Sequence, residues 1–258
     1  MLVVRGGYED KVGMSMSKVR DRVYGQYVAS SGESTKLKSV ADLEGRRPTM
    51  EHVVDNYFPT DKSAVVIDLG CGHGALIHFA RQRGYGAVRG VDVSPQQVAL
   101  AARLGVDGVA EGDLAATLAS LPAESVDAIV AFDVIEHFTK DELIDFVDAV
   151  HRVLKKGGRW IIHAPNGASP FVGAIRYGDL THEQAFTRYS LEQLMLASGF
   201  SRVSCHECAP RAHGVKSAFR VVAWKLARLA MQFVVTAETG ERPRDSILTR
   251  NLYAVVWK

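Results

Sequence analysis

The chain has 258 residues, 47% of them hydrophobic and 23% charged, so it can bury one large core with a small appendage. Its 31 basic and 29 acidic residues give a net charge of +2, which offers no support for a nucleic-acid or anionic-membrane partner. The apolar segments are too short to span a bilayer, and the N-terminal residues lack the hydrophobic stretch of a signal peptide. A cytoplasmic protein with no transmembrane segment is therefore expected.

The first sixty residues carry no strand pattern and predict an N-terminal helical cap over residues 1–60. Helices are expected at 15–28 and 49–57, with Thr49 at the N-cap of the second helix. Tyr24 and Tyr27 are expected to pack this cap onto the core, although a role as walls of a ligand site stays open.

From residue 61 the chain alternates between strand and helix patterns. Strands are predicted at 64–69, 87–91, 108–110, 126–132 and 158–164, and helices at 75–83, 95–104 and 140–154, with a short helix after the third strand. This alternation predicts a Rossmann-like, doubly wound parallel sheet. Right-handed crossovers bring the carboxyl ends of such strands to one edge, where ligands bind.

The first predicted strand runs into closely spaced glycines that predict a nucleotide-binding turn. Gly70, Gly72 and Ala75 also satisfy the looser dinucleotide spacing G-x-G-x-x-[G/A]. Asp68 separates the two interpretations, because a buried carboxylate repels a pyrophosphate and attracts an ammonium or sulfonium group. The sequence therefore favours a cationic nucleoside ligand over a dinucleotide.

Polar residues follow each of the other strands. Asp92 lies 24 positions after Asp68, where an acidic side chain can accept hydrogen bonds from both ribose hydroxyls. Asp113 follows the third strand, Asp133 the fourth, and His163 ends the fifth. Their shared position after strands predicts one ligand site at the sheet edge.

These segments resemble, in order, the motifs of class I S-adenosylmethionine-dependent methyltransferases. The matching segments are 66–74 for the glycine loop, 91–94 for the ribose loop, 111–114 for the adenine loop, 132–137 for the fourth-strand motif and 154–158 for the turn before the fifth strand. The resemblance covers residues 61–200 and implies a seven-stranded sheet whose last strand is antiparallel and inserted between the fifth and sixth. Residues 200–207 and 251–257 would be the sixth and seventh strands of a domain spanning 61–258, with a helical insertion at 213–240.

The resemblance also implies roles for residues that bind S-adenosylmethionine. The amino-acid part would lie on the glycine loop and the ribose and adenine on the next two loops, with two residues lining the space below the methyl group. The residues for the amino-acid part are Asp68, Gly70, Cys71, Gly72 and Gly74, and those for the ribose are Asp92 and Val93. The residues for the adenine are Gly112, Asp113 and Leu114, and those below the methyl group are Phe132 and Asp133. His73 is expected to face solvent and to have no chemical part.

The loop over residues 165–188 is polar and rich in glycine, yet it contains aromatic residues, and it would overhang the methyl donor. It resembles loops of methyltransferases that modify bacterial glycans and sugars, which implies a sugar, glycan or related hydroxylated metabolite as acceptor. The residues expected to contact that acceptor are Asn166, Tyr177, His182 and Glu183.

A sugar hydroxyl is a poor nucleophile until a base takes its proton, and a histidine of ordinary pKa, about 6.5, can do so at cytoplasmic pH. His182 is the first candidate because it lies in this acceptor loop beside Asp179 and Glu183, either of which could orient its ring. His137 is the second candidate. The resemblance requires no metal, although Asp133, Glu136 and Asp179 leave a magnesium site open.

Other interpretations remain open. The enzyme could methylate a quinone, phenol or amine; a degenerate site would make it a regulatory S-adenosylmethionine-binding protein; and a dehydrogenase is the remaining reading of the glycine spacing. Cys205 and Cys208 form a CxxC pair, but strand alternation places them on opposite faces, which favours packing over zinc or redox chemistry.

The insertion contains an amphipathic helix over residues 218–235. It is expected to cover the sheet or a partner subunit of a homo-oligomer rather than to bind a membrane.

Overall fold

The computed structural model describes residues 37–240 and 246–258, together with Val23. The predicted helix at 15–28, with Tyr24 and Tyr27, lies outside the described residues except for Val23. The division of the chain at residue 60 stays a prediction.

Seven strands form one mixed sheet in the described part of the chain. Its order is β3-β2-β1-β4-β5-β7-β6, and β7 runs antiparallel to both neighbours while β1 to β5 are parallel. This arrangement confirms the predicted Rossmann-like sheet with its last strand inserted between the fifth and sixth. The strands are β1 Val66–Leu69, β2 Val88–Asp92, β3 Val109–Glu111, β4 Val126–Phe132, β5 Leu154–Pro165, β6 Arg202–Glu207 and β7 Asn251–Trp257.

Eight α-helices connect or flank these strands in the described ranges. A 3-10 helix, Val40–Arg46, precedes the first of them, and another, Ile135–His137, follows β4. The α-helices are α1 Arg47–Tyr57, α2 Ala75–Gln82, α3 Pro95–Leu104, α4 Leu114–Ser120, α5 Lys140–Val153, α6 Val172–Arg176, α7 Arg188–Ala197 and α8 Val215–Thr239.

Thr49 is not the N-cap that the sequence predicted. The carboxylate of Asp42 accepts hydrogen bonds from the N–H groups of Lys38 and Ser39, and it thereby starts the preceding 3-10 helix. That helix passes directly into α1 at Arg47, so Thr49 already lies within its first turn. The predicted end is confirmed, because Phe58 is extended and terminates the helix.

The fifth strand begins four residues earlier than expected. Leu154 already pairs with Val126, and the register then shifts before Ala128 pairs with Arg159. Gly157 has φ +76° within the shift. The predicted turn before the strand is therefore an irregularity inside it, which sequence alternation cannot distinguish from a turn.

Two hydrophobic clusters cover the two faces of the sheet. One joins β4 and β5 to α5 and α7 around Trp160, which is fully buried. The other joins β1 to α1 and α2, and it includes Leu43 and Val53 from the segment before the sheet. Cys205 packs in the first cluster and Cys208 against the second, so the CxxC thiols do lie on opposite faces; both are free.

Helix α8 is longer than predicted and lies largely in solvent, since Ser217 is its one buried residue. Arg228 holds it to the domain through an ion pair with Glu207 at 3.2 Å and a hydrogen bond to the carbonyl of Ser246. Among the described helices none combines the length and apolar character that crossing a membrane requires.

Candidate active site

A cavity of about 370 Å³ opens at the carboxyl ends of β1, β2 and β4, the edge at which the sequence placed a ligand. Its volume lies in the range of small-molecule sites. Ten of the twelve predicted cofactor residues line it: Asp68, Gly70, Cys71, Gly72, Asp92, Val93, Asp113, Leu114, Phe132 and Asp133. Arg46 and Met50, which sequence reasoning did not single out, add a wall from the segment before the sheet.

The glycine loop turns sharply because three of its residues adopt left-handed backbone angles. Gly70, Gly72 and Gly74 have φ of +73°, +54° and +77°. A Cβ on Gly70 would lie 2.6 Å from Cγ2 of Val134, so this position has no room for a side chain. The turn thus brings the backbone against the cavity, as the sequence predicted.

Gly74 and Gly112 do not line the cavity. A Cβ on Gly74 would meet Val109 and Val106 at 2.7 and 2.8 Å, so this glycine is needed where α2 begins beneath β3. The N–H of Gly112 donates to the carbonyl of Asp92 at 3.1 Å. Both glycines shape the loops around the cavity, and a direct contact with cofactor stays a prediction.

Asp92 and Asp113 end neighbouring strands and are held by backbone amides. Asp92 accepts hydrogen bonds from the N–H groups of Gly72 at 2.8 Å and Ser94 at 2.9 Å, while burial raises the pKa of its carboxyl. Asp113 is exposed and caps α4 by accepting from the N–H of Ala116 at 2.7 Å. Local backbone contacts thus orient the two carboxylates that are predicted to bind the ribose and the adenine.

Asp68 is 3% exposed at the base of the cavity. Burial, and to a lesser extent the charge of Asp92, raises the pKa of its carboxyl to about 8. A cationic ligand would relieve the cost of ionising this group, whereas a pyrophosphate would increase it. The donor set therefore fits the ammonium and sulfonium groups of S-adenosylmethionine.

His73 is buried, contrary to the expectation that it faces solvent. It is 4% exposed, and its Nδ1 lies 3.3 Å from Oε1 of Gln97. The left-handed turns at Gly72 and Gly74 tuck the ring against the start of α3, which a sequence pattern does not reveal.

Asp133 and His163 form an ion pair at the edge of the cavity, with Oδ1 and Nδ1 2.8 Å apart. Burial alone would lower the pKa of His163, but the charge and hydrogen bond of Asp133 outweigh it and hold the pKa well above its usual value. The same pair outweighs the effect of burial on Asp133 and keeps the pKa of that carboxyl low. The sequence placed His163 at this edge of the sheet but not beside Asp133; the ion pair follows from the register of β4 and β5, in which His163 lies beside Phe132.

Glu136 and the two histidines predicted to be catalytic converge beyond Asp133. One carboxylate oxygen of Glu136 and one ring nitrogen each of His137 and His182 lie within 4.8 Å of one another. The rings of His137 and His182 meet edge to face with centroids 4.8 Å apart. The carboxylate of Asp179 accepts from Oγ1 of Thr181 at 2.6 Å, and that oxygen lies 2.9 Å from Nδ1 of His137. Asp179 meets His182 through the backbone, where the N–H of His182 donates to the carbonyl of Asp179 at 3.3 Å.

Residues 67–162 match the family model described as a methyltransferase domain. This segment is thus a methyltransferase domain, and the predicted enzyme activity, that of an S-adenosylmethionine-dependent methyltransferase, is confirmed. Its cofactor is S-adenosylmethionine. No curated protein is significantly similar to the chain in sequence.

Solved structures of low sequence identity share the fold of this methyltransferase. An S-adenosylmethionine-dependent methyltransferase from Archaeoglobus fulgidus is 19% identical with a TM-score of 0.62, covering 84% of this chain and 94% of that one. A possible histamine N-methyltransferase from Thermotoga maritima is 16% identical (TM-score 0.56; 93% and 98% covered). Phosphoethanolamine N-methyltransferase 2 from Haemonchus contortus is 17% identical (TM-score 0.64; 95% and 60% covered).

The structure separates the acceptor residues expected for this methyltransferase. Asn166 is fully buried, and its amide donates to the carbonyls of Ile247 and Thr249 at 2.8 Å, so it braces the loop instead of facing the cavity. This corrects its expected contact with substrate. Tyr177 is 81% exposed, and Glu183 is exposed as well; neither lines the cavity, so their contacts with an acceptor stay a prediction.

The acceptor loop of the methyltransferase is fixed to the turn after β4. The N–H groups of Glu183 and Gln184 donate to the carbonyl of Glu136 at 2.8 and 3.2 Å. The guanidinium of Arg176 donates to the carbonyls of His182 and Glu183. The loop therefore brings His182 to His137, which itself lines the cavity.

The buried environment sets the protonation of this cluster. Burial, together with the nearby ring of His182, lowers the pKa of His137 to about 4, so its ring is neutral at pH 7. Burial and then the charge of Asp133 raise the pKa of Glu136 well above its usual value. This end of the site thus offers the neutral imidazole of His137 beside a desolvated carboxyl group.

Proposed function

We propose that this methyltransferase transfers a methyl group to a hydroxyl of a sugar, glycan or related metabolite in the cytoplasm. The observation that carries the proposal is the convergence of His137 and His182 at the acceptor end of the cofactor cavity. A hydroxyl must lose a proton to become a good nucleophile, and neutral imidazole nitrogens supply a base for that step.

His182 is the proposed base. Its Nδ1 lies 3.0 Å from the carbonyl of Ile175, an oxygen that can only accept, so Nδ1 carries the proton and Nε2 the lone pair. The same carbonyl would stabilise the imidazolium formed when Nε2 takes the hydroxyl proton. His137 is the second candidate, and Asp179 acts through Thr181 on its ring.

When bound, S-adenosylmethionine supplies an electrophilic methyl group on a sulfonium. The glycine loop and Asp68 would hold its amino-acid part, Asp92 its ribose, and Asp113 its adenine. Phe132 and Asp133 would line the space through which the hydroxyl approaches. Much of the rate enhancement would come from alignment of the two reactants by these fixed groups.

Two alternatives differ from methylation of a sugar hydroxyl. In the first, the acceptor is a quinone, phenol or amine; the name of the H. contortus neighbour specifies an amine acceptor for that protein. Two histidines at this position favour a hydroxyl over an amine, since an amine in its free-base form needs no base to become a nucleophile. A regulatory protein that binds S-adenosylmethionine without transferring its methyl group is the other.

The proposal is tested with methyl-labelled S-adenosylmethionine and a panel of nucleotide sugars, oligosaccharides, phenols and amines. Label on a sugar hydroxyl supports the proposal, and label only on a phenol or amine replaces the acceptor. Cofactor binding without any transfer across the panel would favour the regulatory alternative.

The role of His182 is tested with His182→Ala beside the control His213→Ala, because His213 is exposed and lies outside the cavity. His182→Ala should leave cofactor affinity within about twofold while methyl transfer falls by two or more orders of magnitude. Unchanged turnover in His182→Ala would remove His182 from the reaction.

A further inference from the structure

We propose that Glu136, His137 and His182 form a binding site for a divalent transition-metal cation such as Mn²⁺, Fe²⁺ or Co²⁺. One carboxylate oxygen and one ring nitrogen from each histidine lie within 4.8 Å of one another. A cation about 2.1 Å from each would need these atoms to approach by roughly 1 Å, which side-chain rotation supplies.

Glu136 is the first reason to place a cation here. It is fully buried, and neither carboxylate oxygen has a hydrogen-bond partner among the described residues. Buried carboxylates are normally paired, hydrogen-bonded or bound to a metal, because desolvation penalises an isolated charge heavily. The two histidines contribute no negative charge, so a dication balances the carboxylate without repulsion.

The tautomers of both histidines provide the second reason. Oγ1 of Thr181 donates its proton to Asp179, so it can only accept from Nδ1 of His137. Nδ1 of His182 likewise donates to a backbone carbonyl, that of Ile175. In both rings Nε2 is therefore the nitrogen that carries the lone pair a metal needs. Histidine ligands are commonly oriented in this way, by a carboxylate, hydroxyl or carbonyl on the far ring nitrogen.

The backbone holds the three groups in place. Glu136 and His137 lie on one 3-10 helix, and the carbonyl of Glu136 accepts from two N–H groups of the loop that carries His182. Arg176 donates to the carbonyl of His182 and fixes the other side of that loop. The site thus does not depend on a mobile side chain alone.

The donor set selects the kind of metal. Two imidazoles and one carboxylate suit first-row transition cations, whereas Mg²⁺ and Ca²⁺ prefer oxygen ligands. Three protein ligands leave positions for water or for an acceptor oxygen, and His137 borders the cavity through which the acceptor would enter. A metal at this position could acidify a bound acceptor hydroxyl, a task otherwise proposed for the imidazole of His182. This catalytic role rests on the proposed function, whereas metal binding itself does not.

The test is calorimetric titration of the cofactor-free protein with MnCl₂ and CoCl₂. The wild type should bind one cation per chain. The absorption spectrum of the Co²⁺ complex should show visible bands that report nitrogen ligands. Glu136→Gln should weaken binding at least about 100-fold, because it removes the charged ligand while keeping the shape of the side chain. Glu183→Gln alters an exposed carboxylate nearby and should bind as the wild type does.

A thermal unfolding transition at or above that of the wild type would show that Glu136→Gln is folded, as expected when a desolvated carboxyl becomes an amide. Absence of binding to the wild type at millimolar metal, or equal binding by Glu136→Gln, would overturn the metal site. Neither outcome depends on methyl transfer. Methylation of a hydroxyl without metal binding would reject only the metal site. Metal binding without methylation of a hydroxyl would reject only the proposed function.

A separate observation concerns the outer face of helix α8. Six exposed apolar side chains recur there at alternating spacings of four and three residues, the spacing of a coiled-coil seam. They form the apolar stripe of α8: Val215, Phe219, Val222, Leu226, Leu229 and Phe233, each 55–90% exposed. Arg228 and Trp224 lie on the opposite side of the helix, and Arg228 holds it to the domain.

We infer that this stripe binds the same stripe of a second copy of the chain. A 3.5-residue repeat keeps an apolar stripe facing a second helix along its whole length. Ala218, Ala223 and Ala230 flank the stripe, and their small side chains permit close approach of the two helices. The six side chains expose on the order of 700 Å² of apolar surface, close to the roughly 800 Å² per partner of a specific dimer and above the usual patch on a monomer. A membrane surface would favour a wider apolar face flanked by more basic residues.

The oligomeric state tests this inference. Light scattering after gel filtration should give a dimer for the wild type at about 10 μM, and Leu226→Glu should give a monomer, since it places a charge in the centre of the stripe. Ala227→Glu adds the same charge beside the stripe and should remain dimeric. A wild-type monomer at about 100 μM would overturn the dimer. Binding of the protein to anionic vesicles, or a lower thermal stability of Leu226→Glu, would not restore it.

Discussion

The pKa of Asp68 predicts that cofactor affinity rises with pH between 6 and 8. Burial raises that pKa to about 8, so only about one molecule in ten has an ionised Asp68 at pH 7. If the cationic cofactor binds the ionised form, the free protein must first lose a proton. Affinity should then be about tenfold weaker at pH 7, and about 100-fold weaker at pH 6, than on the plateau above pH 8, which is roughly 1.4 kcal/mol per pH unit.

Calorimetry in phosphate and in Tris distinguishes this linkage from other causes of pH dependence. S-adenosylmethionine should release close to one proton at pH 6 to 7, so the apparent enthalpy should differ between the buffers. Asp68→Asn should bind with a much flatter pH profile and release fewer protons, because of the two carboxyl groups only Asp92 remains to titrate. Affinity that does not change between pH 6 and 8 in the wild type would refute the argument.

The same group makes the free protein less stable at high pH. The folded pKa of Asp68 lies above its ordinary value of 3.8, so its contribution to stability is complete below that value and is lost as pH rises through about 8. The unfolding temperature of the cofactor-free protein should therefore fall between pH 6 and 8 more in the wild type than in Asp68→Asn. An equal fall in both would place the loss of stability elsewhere.

Three further predictions concern the cavity. Gly70→Ala should abolish cofactor binding by calorimetry, because its Cβ would clash, whereas Gly105→Ala shares the φ of +73° but has open space around it and should lose only about 1 kcal/mol of stability. Asp133→Asn should lower the pKa of His163 in an NMR titration, because the wild-type pair favours the imidazolium; an unchanged pKa would contradict the ion pair. Asp92→Ala should weaken cofactor binding about 10- to 100-fold in a titration, as loss of a charged hydrogen-bond acceptor does, with transfer of bound cofactor less affected.

The parts of the fold that could be predicted from sequence are those with strong local signals. The bounds of β4, β7 and α3 agree with the prediction residue by residue, because apolar runs, a Ser94-Pro95 start and a Gly105 end mark them. The glycine turn and the acidic residues at the ends of β1 to β4 were likewise predictable, since parallel strands bring their carboxyl ends to one edge.

What the sequence could not supply depends on contacts between distant segments. The ion pair of Asp133 and His163 joins residues 30 apart, and it forms because β4 and β5 are neighbours in register. Asn166 was expected to contact substrate because it lies in a polar loop, but it is buried against the irregular segment just before β7, and its amide donates to backbone carbonyls there. Composition records the polarity of such a residue and not the partner that satisfies it.

The cofactor and acceptor ends of the site are mechanically joined through the turn after β4. Asp133 adopts a left-handed φ of +54° at the cavity, and three residues later the carbonyl of Glu136 receives the backbone of the acceptor loop. A shift of that loop would therefore separate His182 from Glu136 and move the turn that carries Asp133. Because the turn that borders the cavity also holds the loop of His182, changes in the loop sequence should alter acceptor choice and transfer rate together. Cofactor affinity should change less, since most of the predicted cofactor residues lie on the loops after β1, β2 and β3.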